Sequence, residues 1–170
     1  MQEAKIHIYH GNGKGKTTAA IGLSIRMLGA GRKVCFCQFL KDGASSEIKV
    51  LKRFHDCKVM FYGEPLKFIQ MMSASEKRTC KMVETQLFAK ACDTECDLLV
   101  LDEVLDLIDY GILDEQLLFY FLDNRENTEV VLTGRNPSRE LQKRADYITE
   151  MKCVKHPYDE GCLAREGIEF

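Results

Sequence analysis

Between a short apolar run, Ile6 to Tyr9, and a helical pattern from Ala19 to Leu28 lies the stretch Tyr9-His10-Gly11-Asn12-Gly13-Lys14-Gly15-Lys16-Thr17-Thr18. The chemistry these residues suit is phosphate binding. A strand ends, glycines let the backbone turn its N–H groups inward on an anion, and a helix begins with its positive end aimed at the same point. Lys16 supplies a mobile point charge, and the Thr17 hydroxyl is placed to ligate a magnesium ion that accompanies the phosphates. His10 stands where the pattern G-x-x-x-x-G-K-[ST] has its first glycine, so the loop is a variant. A Gly/Lys-rich turn without a ligand would share the composition, but not the order of strand, glycines, Lys-Thr and helix.

Two further groups belong to the same chemistry. Leu98-Leu99-Val100-Leu101 reads as a fully buried parallel strand and ends in Asp102-Glu103. Carboxylates at the C-terminal edge of such a strand lie where α/β sheets bind ligands, and beside a phosphate loop they serve the magnesium. An acid pair favoured by a helix dipole is the plainer alternative. Val130-Val131-Leu132-Thr133 is a second buried run ending in Gly134-Arg135, which brings a guanidinium to that edge, either to clamp phosphate or to form a structural ion pair.

The elements that must position these groups follow from periodicity. Val34 to Phe39 is a strand, Glu47 to Phe54 an amphipathic helix, and Val59 to Tyr62 a short strand broken by Gly63, Glu64 and Pro65. Leu66 to Met72 packs five apolar residues into seven, as a flap or a core-facing turn of helix would. Ser73-Ala74-Ser75-Glu76 has capping-box spacing, followed by Cys80, Val83, Leu87 and Ala91 at helical intervals. Helices are expected over Val104 to Tyr110 and Asp114 to Leu122, then from an N-cap at Asn136 with Pro137 first in the helix to Ala145, with a last strand from Asp146 to Val154. Strands alternating with helices imply a doubly wound α/β domain spanning 1–170, with a mainly parallel sheet and its site at one edge.

Composition narrows the function classes. A chain of 170 residues, 45% hydrophobic and 29% charged with net charge −2, carries no electrostatic footprint for nucleic acid or an anionic membrane. No apolar run reaches the length of a membrane span and no signal peptide pattern opens the chain, so a cytoplasmic location is expected. The eight cysteines contain no CxxC and read as reduced thiols, mostly buried.

Taken together, Gly11-Asn12-Gly13-Lys14-Gly15-Lys16-Thr17-Thr18-Ala19-Ala20, Gln38-Phe39, Leu101-Asp102-Glu103, Leu132-Thr133-Gly134-Arg135 and the tail Val154-Lys155-His156-Pro157, Asp159, Gly161 and Gly167-Ile168-Glu169 resemble the corrinoid adenosyltransferases of the ATP:cob(I)alamin type. The resemblance spans nearly the whole chain and accounts for the missing first glycine. It implies a three-layer RecA-like P-loop fold that binds ATP with Mg2+ and a corrinoid, and moves the 5′-deoxyadenosyl group to cobalt with triphosphate as leaving group. By position it implies that Lys16 and Thr18 hold phosphates within an ATP-binding set that includes Gly11, Gly13, Lys14 and Gly15, that Thr17 and Glu103, with Asp102, hold magnesium, and that Asn12 meets the nucleoside. Arg26 and Arg135 assist more loosely, and Lys16, Glu103 and Arg135 are the groups closest to catalysis. A flavoprotein reductant and a homodimer are the partners implied. The family's Gly-Phe-Thr-Trp-like stretch has no counterpart and the chain has no Trp, which leaves Phe61, Tyr62 and Phe68, with His156, for the corrinoid side. Longer members carry an N-terminal extension that covers the corrinoid, where only five residues precede Ile6 here.

Two other functions use the same residues. A P-loop phosphotransferase or NTPase needs only the loop and the acid pair and yields ADP. A nucleotide-gated corrinoid carrier binds both ligands without transfer.

Overall fold

The central apolar runs, 34–38, 98–102 and 130–134, become strands buried on both faces. The computed structural model describes residues 4–63, 67 and 69–168. Among these, six strands form one sheet: β1 (Ile6–His10), β2 (Val34–Gln38), β3 (Cys57–Met60), β4 (Leu98–Asp102), β5 (Glu129–Gly134) and β6 (Tyr147–Glu150). Their order is β3-β2-β4-β5-β1-β6, and every neighbouring pair is parallel. One strand, β5, separates the loop-bearing β1 from the acid-bearing β4, the arrangement of RecA-like P-loop folds. The register sets His10 opposite Gly134 and Gln38 opposite Asp102, so the C-terminal ends that carry polar residues finish together.

Alternation along each strand divides the core. Val34, Phe36, Leu98, Val100 and Val131 face α1 (Lys16–Gly29) and α2 (Ser46–Leu51). Cys35, Cys37, Leu99, Leu101, Val130 and Leu132 face α3 (Ala74–Cys92), α4 (Val104–Asp109), α5 (Glu115–Asn124) and α6 (Arg139–Arg144). The result is three layers, helix, sheet, helix. All eight cysteines are free, and among the described residues no helix is long and apolar enough to cross a membrane.

Several boundaries differ from the sequence expectation, each for a local reason. The Ser73 capping box forms: Glu76 N–H donates to Ser73 Oγ and Ser73 N–H to Glu76 Oε2. The buried face of α3 is Cys80, Glu84, Leu87, Phe88 and Ala91, with a glutamate where Val83 was expected. The N-cap of α6 is Ser138, whose hydroxyl accepts the Leu141 N–H at 3.1 Å, and not Asn136. The Asn136 amide instead donates to Asp109 of α4, and the first helical residue is Arg139. β6 stops at Glu150 because the chain beyond it leaves the ladder to brace the phosphate loop, Gly13 N–H donating to the Met151 carbonyl at 2.7 Å. Of the piece 66–72, residues 66 and 68 lie outside the described residues. Ile69–Met71 is a single 3-10 turn, with Ile69 and Met72 in the core and Met71 exposed.

Gly134, at φ +146°, is where β5 passes α4. A Cβ there would lie 2.5 Å from Leu105 Cβ and 2.8 Å from Asp106 Oδ2. Gly134→Ala should therefore lose about 2–4 kcal/mol, combining strain with overpacking. Gly22, in the middle of α1 with nothing within 4 Å of an added Cβ, should give the opposite sign, Gly22→Ala gaining about 0.5–1 kcal/mol. Urea unfolding of both variants checks the pair; equal shifts would contradict the wedge at Gly134.

Candidate functional site

Gly15 at the N-cap of α1 has φ +112° and no side chain to offer the first helical turn. The N–H groups of that turn are thus left for an anion. Lys16 folds back so that its ammonium donates to the Gly13 carbonyl at 2.8 Å. Gly11 and Gly13 are needed because the 151–152 backbone runs against them: a Cβ on either would come within 2.7 Å of the Met151 carbonyl. The Asn12 carboxamide oxygen accepts the Cys153 N–H at 3.1 Å, so this side chain ties the loop to the segment after β6. Lys14 reaches the Ile168 carbonyl in the tail.

The loop meets the acid pair through one hydrogen bond. Thr17 Oγ1 donates to Asp102 Oδ1 at 2.9 Å. Asp102 is fully buried and also receives Thr133 Oγ1 at 2.7 Å and Gln38 Nε2 at 3.2 Å. Glu103, the N-cap of α4, takes the left-handed conformation at φ +64° and donates its N–H to Thr133 Oγ1 at 2.8 Å. Its carboxylate is 2.9 Å from the Lys41 ammonium, which also lies 3.5 Å from Asp102.

Burial and charge oppose each other here. Desolvation lowers the Lys16 ammonium below the ordinary lysine value, with Asp106 pulling the other way. Burial would lower Lys41 too, but Asp102 and Glu103 outweigh it and hold the ammonium above its usual value. Burial raises the Glu103 carboxyl more than Lys41 lowers it, so this group stays high despite its ion pair. Asp106 is likewise raised by burial, against Arg135.

These groups surround a cavity of about 990 Å³, lined by residues 12–18 of the loop, Lys41, Glu103, Ser45 to Glu47, His156 and Ile168, among others. The size suits a nucleotide. The only non-glycine residues with positive φ among those described are Leu40 and Glu103, and both line it. Strain is thus concentrated at the site. Among the described residues no group of three or more His, Cys, Asp or Glu side chains could hold a metal by itself. Two protein oxygens plus phosphates is the pattern magnesium takes.

The structure brings Gly13, Lys14, Gly15, Lys16, Thr17, Thr18, Asn12 and Glu103 together. It separates Arg26, in the last turn of α1 and about 15 Å along the helix from Lys16, outside the cavity lining. Arg135 sits at the correct edge, yet its guanidinium is largely exposed and 3.7 Å from Asp106. His156 lines the same cavity as the glycine-rich loop. Phe61 follows β3, packs behind Gly43 and carries Lys52 over its ring at 4.4 Å; Tyr62 adjoins it, and Phe68 lies outside the described residues. Sequence reasoning missed Lys41, Thr133 and Asp106 as site residues, and Glu84, whose Oε1 accepts the Leu40 N–H. A lysine three residues past a strand end and a glutamate on the apolar face of a helix are signals that were available.

The family model described as ATP:corrinoid adenosyltransferase BtuR/CobO/CobP matches residues 2–170. The chain is 30% identical over 166 residues to the corrinoid adenosyltransferase of Escherichia coli, covering 97% of this chain and 85% of that protein. It is 30% identical over 166 residues, with the same coverage, to the corrinoid adenosyltransferase CobA of Salmonella typhimurium. To the corrinoid adenosyltransferase of Pseudomonas aeruginosa it is 33% identical over 170 residues, covering 96% and 82%.

Glu84 is 1% exposed and burial raises its carboxyl to about 7, against the lowering by the Leu40 N–H. A carboxyl raised on folding contributes stability that is complete below the unfolded value of 4.5 and is lost as pH rises through 7. The loss is on the order of 3 kcal/mol. Urea unfolding between pH 4.5 and 8 should show this fall in the wild type and a shallower profile in Glu84→Gln. Parallel profiles would show that Glu84 does not titrate in this window.

Proposed function

The chain belongs to the ATP:corrinoid adenosyltransferase family, and from that premise we propose that it transfers the 5′-deoxyadenosyl group of Mg-ATP to cobalt(I) of a corrinoid, releasing triphosphate. One catalytic domain spans 1–170. The observation that carries the reading is the Thr17–Asp102 hydrogen bond, which closes the phosphate loop onto the acid-bearing strand and puts both on one cavity. Because the Thr17 proton goes to Asp102, its lone pairs are left for a cation. Thr17 and Glu103 are then the residues that would hold magnesium, with Asp102 orienting Thr17 from behind. The hard oxygen donors fit that ion, which when bound supplies positive charge to the departing triphosphate.

The protein's own part is placement and charge. The N–H groups at the start of α1, with Lys16, receive the triphosphate and lower the cost of its developing charge. Fixing the phosphates also fixes C5′ for attack along the line of the breaking C–O bond. Cobalt(I) is itself a strong nucleophile, so no general base is required. The electron pair of cobalt forms the Co–C bond, and the C5′–O pair leaves with triphosphate. Phe61 and Tyr62, just past β3 at the same edge of the sheet, are the aromatic groups assigned to the corrinoid side. A flavoprotein supplies the reducing electron, and a homodimer is the assembly.

Mixing the protein anaerobically with Mg-ATP and chemically reduced cobalamin should give a light-sensitive Co–C product and one triphosphate per turnover, and ATP should stay intact when the corrinoid is omitted. Lys16→Ala should lower the rate by about a hundredfold, the scale for one charge acting on a leaving group. ADP formed with or without corrinoid would instead identify an NTPase, and tight binding of both ligands without Co–C bond formation a carrier.

A further inference from the structure

The loop that follows β2 is held from an unexpected direction. Leu40 takes φ +56°, a conformation disfavoured for a side chain with a Cβ. Its N–H donates to Glu84 Oε1 at 3.0 Å, across from α3. Glu84 is 1% exposed, and its other oxygen, Oε2, is buried with no hydrogen-bond partner among the described residues. The next residue after the turn is Lys41, the cation that reaches Glu103 at 2.9 Å and Asp102 at 3.5 Å. Leu40 and Lys41 both line the cavity, and Glu84 does not.

A half-satisfied carboxyl in a core is expensive, and a leucine or methionine on this helix face would serve packing better. What Glu84 adds is an acceptor for one backbone N–H at the position where the chain is bent into the left-handed region. Without that acceptor Leu40 relaxes toward negative φ, and the direction of the chain into Lys41 changes. We propose that Glu84 is a positioning residue: through the Leu40 turn it holds Lys41 on the Asp102–Glu103 pair, keeping a fixed positive charge at the wall of the cavity. This rests on the reading of that cavity as the Mg-ATP site. In that reading Lys41 keeps the two carboxylates from repelling the polyphosphate, and is already in place when the nucleotide arrives.

Among the described residues, the titratable groups that interact electrostatically with Glu84 are Cys80 one turn earlier on α3, Cys37 on β2 and Glu103 beyond β4. None of them is a cation, so the Leu40 N–H is the donor that draws the carboxylate to this spot. Ionised Glu84 accepts from Leu40 more strongly than the protonated form does. The hold on Lys41 should tighten as pH passes about 7, and Glu84→Gln, which keeps an acceptor and cannot ionise, should lack that dependence.

The test uses Glu84→Met, Glu84→Gln, Lys41→Ala and the double variant Glu84→Met/Lys41→Ala. Methionine preserves length and removes an unsatisfied buried group, so the fold should persist; if it does not, the glutamine variant and the wild-type pH profile decide. Without nucleotide, the rate at which an amine-acylating reagent modifies Lys41, read by mass spectrometry against Lys33, should rise about tenfold in Glu84→Met and stay near wild type in Glu84→Gln. In wild type it should fall, relative to Lys33, from pH 6.5 to 8. By calorimetry with Mg-ATP, Glu84→Met and Lys41→Ala should each weaken binding by about tenfold, and the double variant by no more than either alone. Unchanged Lys41 labelling in Glu84→Met, or multiplicative losses in the double variant, would overturn the proposal. Absence of Mg-ATP binding by the wild type, with the labelling pattern as expected, would sink the nucleotide reading and leave the Glu84 brace standing.

Discussion

Asp102 is the group on which the site depends. A fully buried carboxylate is tolerated only when its oxygens are matched by donors, and the donors here come from the first turn of α1 and from the ends of two strands. Thr17 brings the loop after β1, Thr133 the end of β5 and Gln38 the end of β2, while Lys41 adds the charge. Because each donor belongs to a separate element, satisfying one carboxylate aligns the edge of the sheet. The same satisfaction orients the Thr17 hydroxyl, so core packing and the geometry of the cavity are joined at one atom pair.

Around that point the backbone is under strain at two residues that are not glycine. Glu103 leaves β4 in the left-handed region with its N–H on Thr133, and Leu40 leaves β2 in the same region with its N–H on Glu84. Each turn is stabilised by a side chain from a neighbouring element. The two chain reversals bring Glu103 and Lys41 within 2.9 Å of each other. On the opposite wall, Gly11 and Gly13 allow the 151–153 backbone to lie against the loop. The segment after β6 therefore braces the phosphate loop.

Net charge hides this local arrangement. The chain carries −2, yet Lys14, Lys16 and Lys41 all line one cavity with Glu103. Partial burial makes those charges act at short range, with less screening than on an open surface. It also explains why Lys16 and Lys41 move in opposite directions. The first is desolvated with its carboxylate partners at a distance, and the second sits directly on two of them.

Much of this was legible in the chain. Buried parallel strands announce themselves as continuous apolar runs, so Leu98 to Leu101 and Val130 to Thr133 could be read directly, and the Ser73 capping box is a local signal that needs no tertiary context. The glycine-rich loop and the acid pair were recognisable for a similar reason: each is a run of contiguous residues. What adjacency does not encode had to come from the fold. Whether Asn136 or Ser138 caps α6 depended on Asp109 being within reach, and β6 ended early because Met151 was needed by Gly13. The roles of Lys41 and Glu84 rest on contacts across 62 and 44 positions of sequence. Arg26, on the same helix as Lys16, lies far from it because helical rise outweighs nearness in sequence. Residue type and short-range spacing determined which chemistry the chain could hold. Only long-range packing decided which charges face it, because a parallel sheet brings together strand ends that the sequence keeps apart.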